Sequence, residues 1–235
     1  MASRKSQEEQ TPCSEDDALV SSSSTKEQLI AVFPRSFFDM HPKTGEPDTT
    51  FRIVGRTFSA QYLIEVAAIV QQSTDLETLS LFDIIVFGIS GHQEAIGEII
   101  GEMLRVNISL RELCVGCNYM SPSEISSITQ GLQSNPKTVL TVLDISYNGD
   151  CGDKGAMACA DLLRTNRTLK KLDLSFCNIG DGGAAALAGA LEVNNTLEKL
   201  FLSSNKIGPW GAVRFVVALR SNKSLVELEL ERNAF

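Results

Sequence analysis

Between Thr168 and Gly208 the apolar positions fall into two alternating rhythms. Leu169, Leu172, Leu174, Cys177 and Ile179 recur 28 positions on as Leu197, Leu200, Leu202, Asn205 and Ile207. The Leu-x-Leu centre of each set alternates with period two, which predicts a short strand with one buried face. The following stretch switches to i, i+3, i+7 spacing. Ala184, Leu187 and Leu191 form one such set, and Ala212, Phe215 and Leu219 the next. One apolar stripe at that spacing predicts a helix.

The same frame extends in both directions. Leu225, Leu228, Leu230, Asn233 and Phe235 form a later copy. Leu140, Leu143, Ile145 and Asn148 form an earlier one, and Leu110, Leu113, Val115, Asn118 and Met120 one before that. A further start lies at Leu76, with Leu79 and Leu81. The starts are spaced by 34, 30, 29, 28 and 28 residues. Helical stripes accompany the earlier frames at Gly97, Ile100 and Leu104, at Ile125, Ile128 and Leu132, and at Ala156, Cys159 and Leu163. Asn107, Asn135, Asn166, Asn194 and Asn222 sit where each helix should stop, and asparagine tolerates the left-handed conformation that ends helices. Gly155, Gly183 and Gly211 fall in a first helical turn, where a close neighbour is expected.

The consensus L-x-x-L-x-L-x-x-(N/C)-x-(L/I) is that of a leucine-rich repeat. A period of about 28 residues with a full helix resembles the ribonuclease-inhibitor type, found also in NOD-like receptors, tropomodulins and Ran GTPase-activating protein. The resemblance covers roughly Phe51 to Phe235. It implies an α/β solenoid, a horseshoe arc with a parallel sheet on the concave side and helices on the convex side. No single repeat can bury its leucines alone, so stacked neighbours bury them jointly.

The expected organisation has three parts. Residues 1–25, with EEQTPCSEDD and a serine run, read as a disordered acidic tail. Residues 26–75 read as an N-terminal capping segment: a short helix in KEQLIAVFPRSFFDM, a loop at HPKTGEPD, then an atypical first repeat. That repeat has a strand at FRIV and a helix at Ala60–Thr74 with Leu63, Val66 and Val70 inward. Residues 76–235 read as the repeats proper, the last one incomplete. The stretch FDIIVFGISG, between Leu81 and Gly91, interrupts the period. Ile84, Ile85, Val86 and Phe87 are expected there as an extra buried turn or as a sticky protrusion. With Phe235 just after a strand, the C-terminal end is expected to be covered by a partner, a second copy or further chain.

Composition narrows the function. A net charge of -8 argues against nucleic acid, whose phosphates need clustered lysine and arginine, and against an anionic membrane surface. No run of 18 apolar residues predicts a membrane helix. The first residues resemble neither a signal peptide nor a mitochondrial presequence, so a cytoplasmic setting, cytoskeletal or ciliary among others, is the expectation.

Candidate chemistry is thin. Cys114 and Cys117 form a CxxC, but zinc needs four ligands and no second pair exists. On a strand, such a pair also lacks the helix N-terminus that activates redox thiols. Four N-x-S/T sequons, at Asn107, Asn166, Asn194 and Asn222, share one repeat slot and read as structural. The GDGGA at Gly180–Ala184 is a repeat turn, since GPWGA fills the same slot one period later, and no basic residue flanks it to hold a phosphate. No cofactor or metal is expected. FRIVGRTFSAQYLIEV is similar to the N-terminal repeat of Ran GTPase-activating protein. That family supplies a catalytic arginine from a loop after an early strand. The matching loop, about Asp83 to Gly91, has none. Arg105 falls on a predicted helix and Arg111 at a strand start.

The concave face remains. Cys114, Asp144, Asp173, Phe201 and Glu229 lie between the strand leucines and should point outward. Cys117, Tyr147, Phe176, Ser204 and Arg232 follow the strands. Glu112, Val142, Lys171, Lys199 and Glu227 precede the strand leucines. Tyr147, Phe176 and Phe201 therefore form an expected aromatic cluster, ringed by Asp144, Asp173, Lys171, Lys199 and Glu229. Either this cluster anchors a protein partner, as exposed aromatics in a polar rim do, or the rings fold onto neighbouring repeats beneath the lysine stems. The expected function is a non-enzymatic protein-interaction module or scaffold subunit of a cytoskeletal, ciliary or signalling assembly. The alternatives are a GTPase activator of the Ran type and a structural subunit that docks through its last repeat.

Overall fold

Leu79, Leu113, Leu143, Leu172, Leu200 and Leu228 stand side by side across one parallel sheet. A computed structural model describes residues 24–32, 49–87 and 95–235. Its strands are β1 (Thr50–Ser59), β2 (Thr78–Phe87), β3 (Glu112–Cys114), β4 (Val142–Asp144), β5 (Lys171–Asp173), β6 (Lys199–Phe201) and β7 (Glu227–Glu229). They are ordered in the sheet as in the chain. The helices are α1 (Thr25–Val32), α2 (Ala60–Gln71), α3 (Ala95–Leu104), α4 (Pro122–Gln133), α5 (Gly152–Thr165), α6 (Asp181–Leu191) and α7 (Pro209–Ser221). From α2 onward each helix packs on the next.

The core is the leucine ladder itself. Leu143, Leu172 and Leu200 are fully buried, as are Ile145, Leu174 and Leu202 one step along. Burying each such side chain contributes about 2 kcal/mol. The helical stripes meet this ladder from the other side, with Ile125, Ile128, Cys159, Leu163, Leu187 and Leu191 all buried.

Three expectations need correction. First, the interruption after Leu81 is neither a turn nor a protrusion as far as Phe87. The strand continues, and Ile84 to Phe87 pair with Arg56 to Ser59 of β1. Alternation explains it, because Ile84 is buried while Ile85 faces solvent. Second, the helix-ending asparagines are not left-handed, since Asn166 and Asn222 have φ of -69° and -68°. Their side chains do the work. The Asn194 amide nitrogen donates to Leu163 O at 2.7 Å and Asn166 O at 3.3 Å, both in the preceding repeat. Its oxygen accepts from the amides of Thr196 and Leu197. Asn222 repeats the arrangement one period on. Asn107, Asn135, Asn194 and Asn222 thus tie their own turns to the repeat before, whereas the Asn166 amide bonds within its turn, to Thr168; the four sequon asparagines are all buried. Third, Leu219 is exposed, although Leu191 in the same slot is fully buried. α7 covers Leu191, and among the described residues no helix covers α7.

The crowded glycines behave as expected. A Cβ on Gly183 would meet Ala156 of α5 at 2.8 Å, and one on Gly211 would meet Ala184 of α6 at 2.9 Å. Carboxylates cap each following helix. The Asp153 carboxylate accepts from the Gly180 amide at 2.7 Å, and that of Asp181 from the Gly208 and Gly211 amides. Negative charge already occupies the helix N-terminus at GDGGA, so a phosphate has no place there.

At the N-terminal end α1 packs on α2, with Leu29 fully buried. Ser24 caps it, accepting from the Glu27 amide while its own amide donates to Glu27. The Thr25 amide and hydroxyl both donate to Asp75. The expected tail lies outside the described residues up to position 23, as do PRSFFDM and HPKTGEPD in the expected capping segment.

Candidate protein-binding face

Three columns of side chains run across the strands on the solvent side of the sheet. The strand-start column carries Glu112, Val142, Lys171, Lys199 and Glu227, paired in register. The middle column carries Cys114, Asp144, Asp173, Phe201 and Glu229, all half-exposed. The third column lies within the long strands β1 and β2 and just past the short strands β3 to β7, and the same unusual backbone recurs there. Gly55, Asp83, Cys117, Tyr147, Phe176, Ser204 and Arg232 all have φ between 54° and 62°. In β1 and β2 the strand resumes beyond this residue, whereas β3 to β7 end before it; its amide still bonds the next repeat, Tyr147 N donating to Ser175 O and Phe176 N to Ser203 O.

Glycine or asparagine suits such a slot, and a bulky side chain there is strained. Two successive repeats nevertheless place aromatics in it. Tyr147 and Phe176 stack with centroids 4.2 Å apart and planes 10° from parallel. They remain 48% and 38% exposed, so core burial does not explain them. Phe82 meets Tyr147 edge-on at 6.3 Å. Its ring reaches across the intervening repeat because Gly116 offers no side chain. A Cβ there would lie 2.8 Å from the Phe82 ring. The file is therefore Phe82, Tyr147 and Phe176, spread over four repeats.

Phe201 belongs to the middle column, beside Asp173. The Lys171 ammonium sits over its ring, 4.6 Å from the centroid. Lys199 is bridged to Glu227 at 2.6 Å, which raises its pKa. Asp144 and Asp173 are register neighbours. Each carboxylate accepts from the amide two residues on, Ser146 at 2.9 Å and Ser175 at 3.0 Å. Burial holds the Asp173 carboxyl above its ordinary pKa, and the nearby Asp144 charge adds to this against the pull of Ser175 and Lys171. Among the described residues no lysine or arginine closes an ion pair with Asp144 or Asp173.

The cysteines are quiet. Cys114 donates to Asp144 at 3.3 Å. Burial, with the Asp144 charge, pushes its thiol up to about 11. Cys117 is also shifted upward, by burial and by Asp83. Neither is a thiolate near neutral pH, so neither is an activated nucleophile. Among the described residues no group of three or more histidine, cysteine or acidic side chains converges as a metal site. No helix described is long and apolar enough to cross a membrane.

The structure thus brings Tyr147 and Phe176 into contact, sets Asp144 beside Asp173, and places Lys171 on Phe201. Phe82 escaped sequence reasoning. The available signal was an apolar residue directly after Leu81 with glycine in the same slot one repeat on. Trp210 is the second residue of α7 and 80% exposed on the helix side.

Stacked strand–helix units with this consensus, in one parallel sheet ordered as in the chain, make a leucine-rich-repeat solenoid. The leucine-rich repeat family matches at residues 137–158, 165–188 and 193–216. No curated protein matches the sequence. Among solved structures, leiomodin-1 actin-binding site 2 is similar at 24% identity and a TM-score of 0.52, over 57% of this chain and 77% of its own. An internalin from Listeria monocytogenes shares 13% identity over 89% of this chain and 88% of its own, with a TM-score of 0.21.

Proposed function

We propose that this chain is a non-enzymatic protein-interaction module that grips its partner with the concave face of the sheet. The observation that carries the reading is the stacked pair Tyr147 and Phe176. Two bulky rings hold a strained backbone slot and stay partly in solvent, 48% and 38% exposed, outside the buried core. Flat, rigid aromatics in a polar rim are effective anchors, because they bury large area at small entropic cost. Asp144, Asp173, Lys171, Lys199 and Glu229 form that rim and orient the partner. Phe201, under Lys171, serves as support.

The leiomodin segment is named for actin binding and shares this fold. A cytoskeletal assembly is therefore one fitting setting, with ciliary and signalling assemblies as others. The alternative of a GTPase activator finds no free arginine in the two candidates from the sequence. Arg105 is bonded to Glu102 and Ser134, and Arg111 to Glu77.

The test replaces Tyr147 and Phe176 by alanine and measures partner capture from the native source. Capture of the wild-type partners is expected to fall at least tenfold, about the effect of losing one hot-spot residue, with circular dichroism and melting little changed. Undiminished capture by a folded variant would reject this face.

A further inference from the structure

Resting on that reading, we propose that the concave face recognises a basic, arginine-bearing extended segment of its partner. Over β4 to β6 the strand-start column holds two lysines, and both are engaged: Lys171 over Phe201 and Lys199 with Glu227 of the same column; Arg232 of the third column lies past β7, three strands from β4. The middle column holds Asp144 and Asp173 side by side, with no lysine or arginine among the described residues in an ion pair with either. The third column holds Tyr147 and Phe176, stacked and exposed. A partner group over this strip meets carboxylates on one side and an aromatic edge or face on the other.

One side-chain chemistry satisfies both. A guanidinium donates in a planar fork to carboxylates and stacks on aromatic rings. The face already contains a cation-on-ring contact, with Lys171 4.6 Å from the Phe201 centroid. An incoming arginine would form its counterpart on Tyr147 and Phe176. The burial that raises the Asp173 pKa also means that a paired cation there gains more than at an open surface. The Cys114 thiol donates to Asp144 but brings no charge, and Lys171 acts on Asp173 only from a distance, so the acidic pair keeps room for a direct cationic partner. An acidic segment would meet repulsion from Asp144, Asp173 and Glu229, and nucleic acid is disfavoured for the same reason.

The experiment uses the full chain and three fluorescein-labelled peptides of twelve residues. One has arginine at every third position among glycine and serine, one has citrulline there, and one has glutamate. Fluorescence anisotropy at low salt is expected to show the arginine peptide binding about tenfold more tightly than its citrulline counterpart, from cation–π and charge-assisted contacts. The glutamate peptide should not bind. Asp144→Asn with Asp173→Asn should remove most of that preference. Asp150→Asn with Glu192→Gln, which removes the same two negative charges elsewhere, should leave it intact. Phe176→Leu keeps apolar bulk without a ring face and should weaken the arginine peptide several-fold.

Equal binding of arginine and citrulline peptides would overturn the inference. So would equal loss from the two charge-removing pairs, which indicates attraction to the whole acidic chain. If the aromatic variants abolish partner capture while the arginine peptide shows no preference, the face stands and only its ligand chemistry falls. If capture survives the aromatic variants, the face itself falls.

Discussion

Single residues carry the site, and each is set by its place in the turn that ends a strand. The slot four residues past the inward strand residue, Phe51 in β1 and a leucine in β2 to β7, is left-handed in all seven strands, so its side chain is what distinguishes one repeat from another there. Asp173 shows what the neighbouring column costs. A carboxyl whose folded pKa is raised binds its proton more tightly folded than unfolded. That penalty is fully present above the folded pKa and fades as the pH drops below it. Asp173→Asn keeps the acceptor for the Ser175 amide and removes both the desolvated charge and the repulsion with Asp144. It is expected to raise the melting temperature at pH 7, with the gain shrinking as the pH is lowered into the carboxylate range. A lower melting temperature at pH 7 would show that the charge stabilises the fold. Much of this scale was legible in advance. The strand-to-slot count put Tyr147 and Phe176 in one column and Phe201 in another, though all three were grouped as one cluster. The ring contact itself was not legible, because a side chain's reach depends on what its neighbours leave open. Phe82 reaches Tyr147 only across Gly116.

At the scale of elements, repeats are held together by more than leucines. Asn194 illustrates the second fastening. It makes two hydrogen bonds back to the preceding repeat and three within its own turn, while buried. Asn194→Ala leaves those groups unpaired in the interior. At 1–3 kcal/mol for an unsatisfied buried group, the loss should be about 3 kcal/mol or more, read by urea denaturation. A loss under about 1 kcal/mol would mean that water replaces the side chain there. The sequence showed the asparagine slot and its period but suggested the wrong mechanism. Helix-ending asparagines commonly act through backbone conformation, whereas these act through side chains that need the adjacent repeat in place. The extension of β2 was hidden for a similar reason. FDIIVF breaks the 28-residue rhythm, and only pairing with β1 makes a strand of it.

For the whole molecule, the solenoid turns a linear code into a surface. Strands in sequence order place each third-column residue beside the same slot of the next repeat, so Tyr147 and Phe176, 29 positions apart, become stacked rings. The helix side offers other exposed apolar groups, Met157 and Trp210 among them, and it is the natural rival as a partner surface. Site-specific crosslinking separates the two. Benzoylphenylalanine is placed at Phe176 in one variant and at Met157 in another, each is exposed to an extract of the native source, and the adducts are identified after illumination. Adducts with a shared partner from position 176 and none from position 157 are the expected result. Adducts from position 157 alone, with both variants folded, would contradict the assignment of the concave face as the gripping surface.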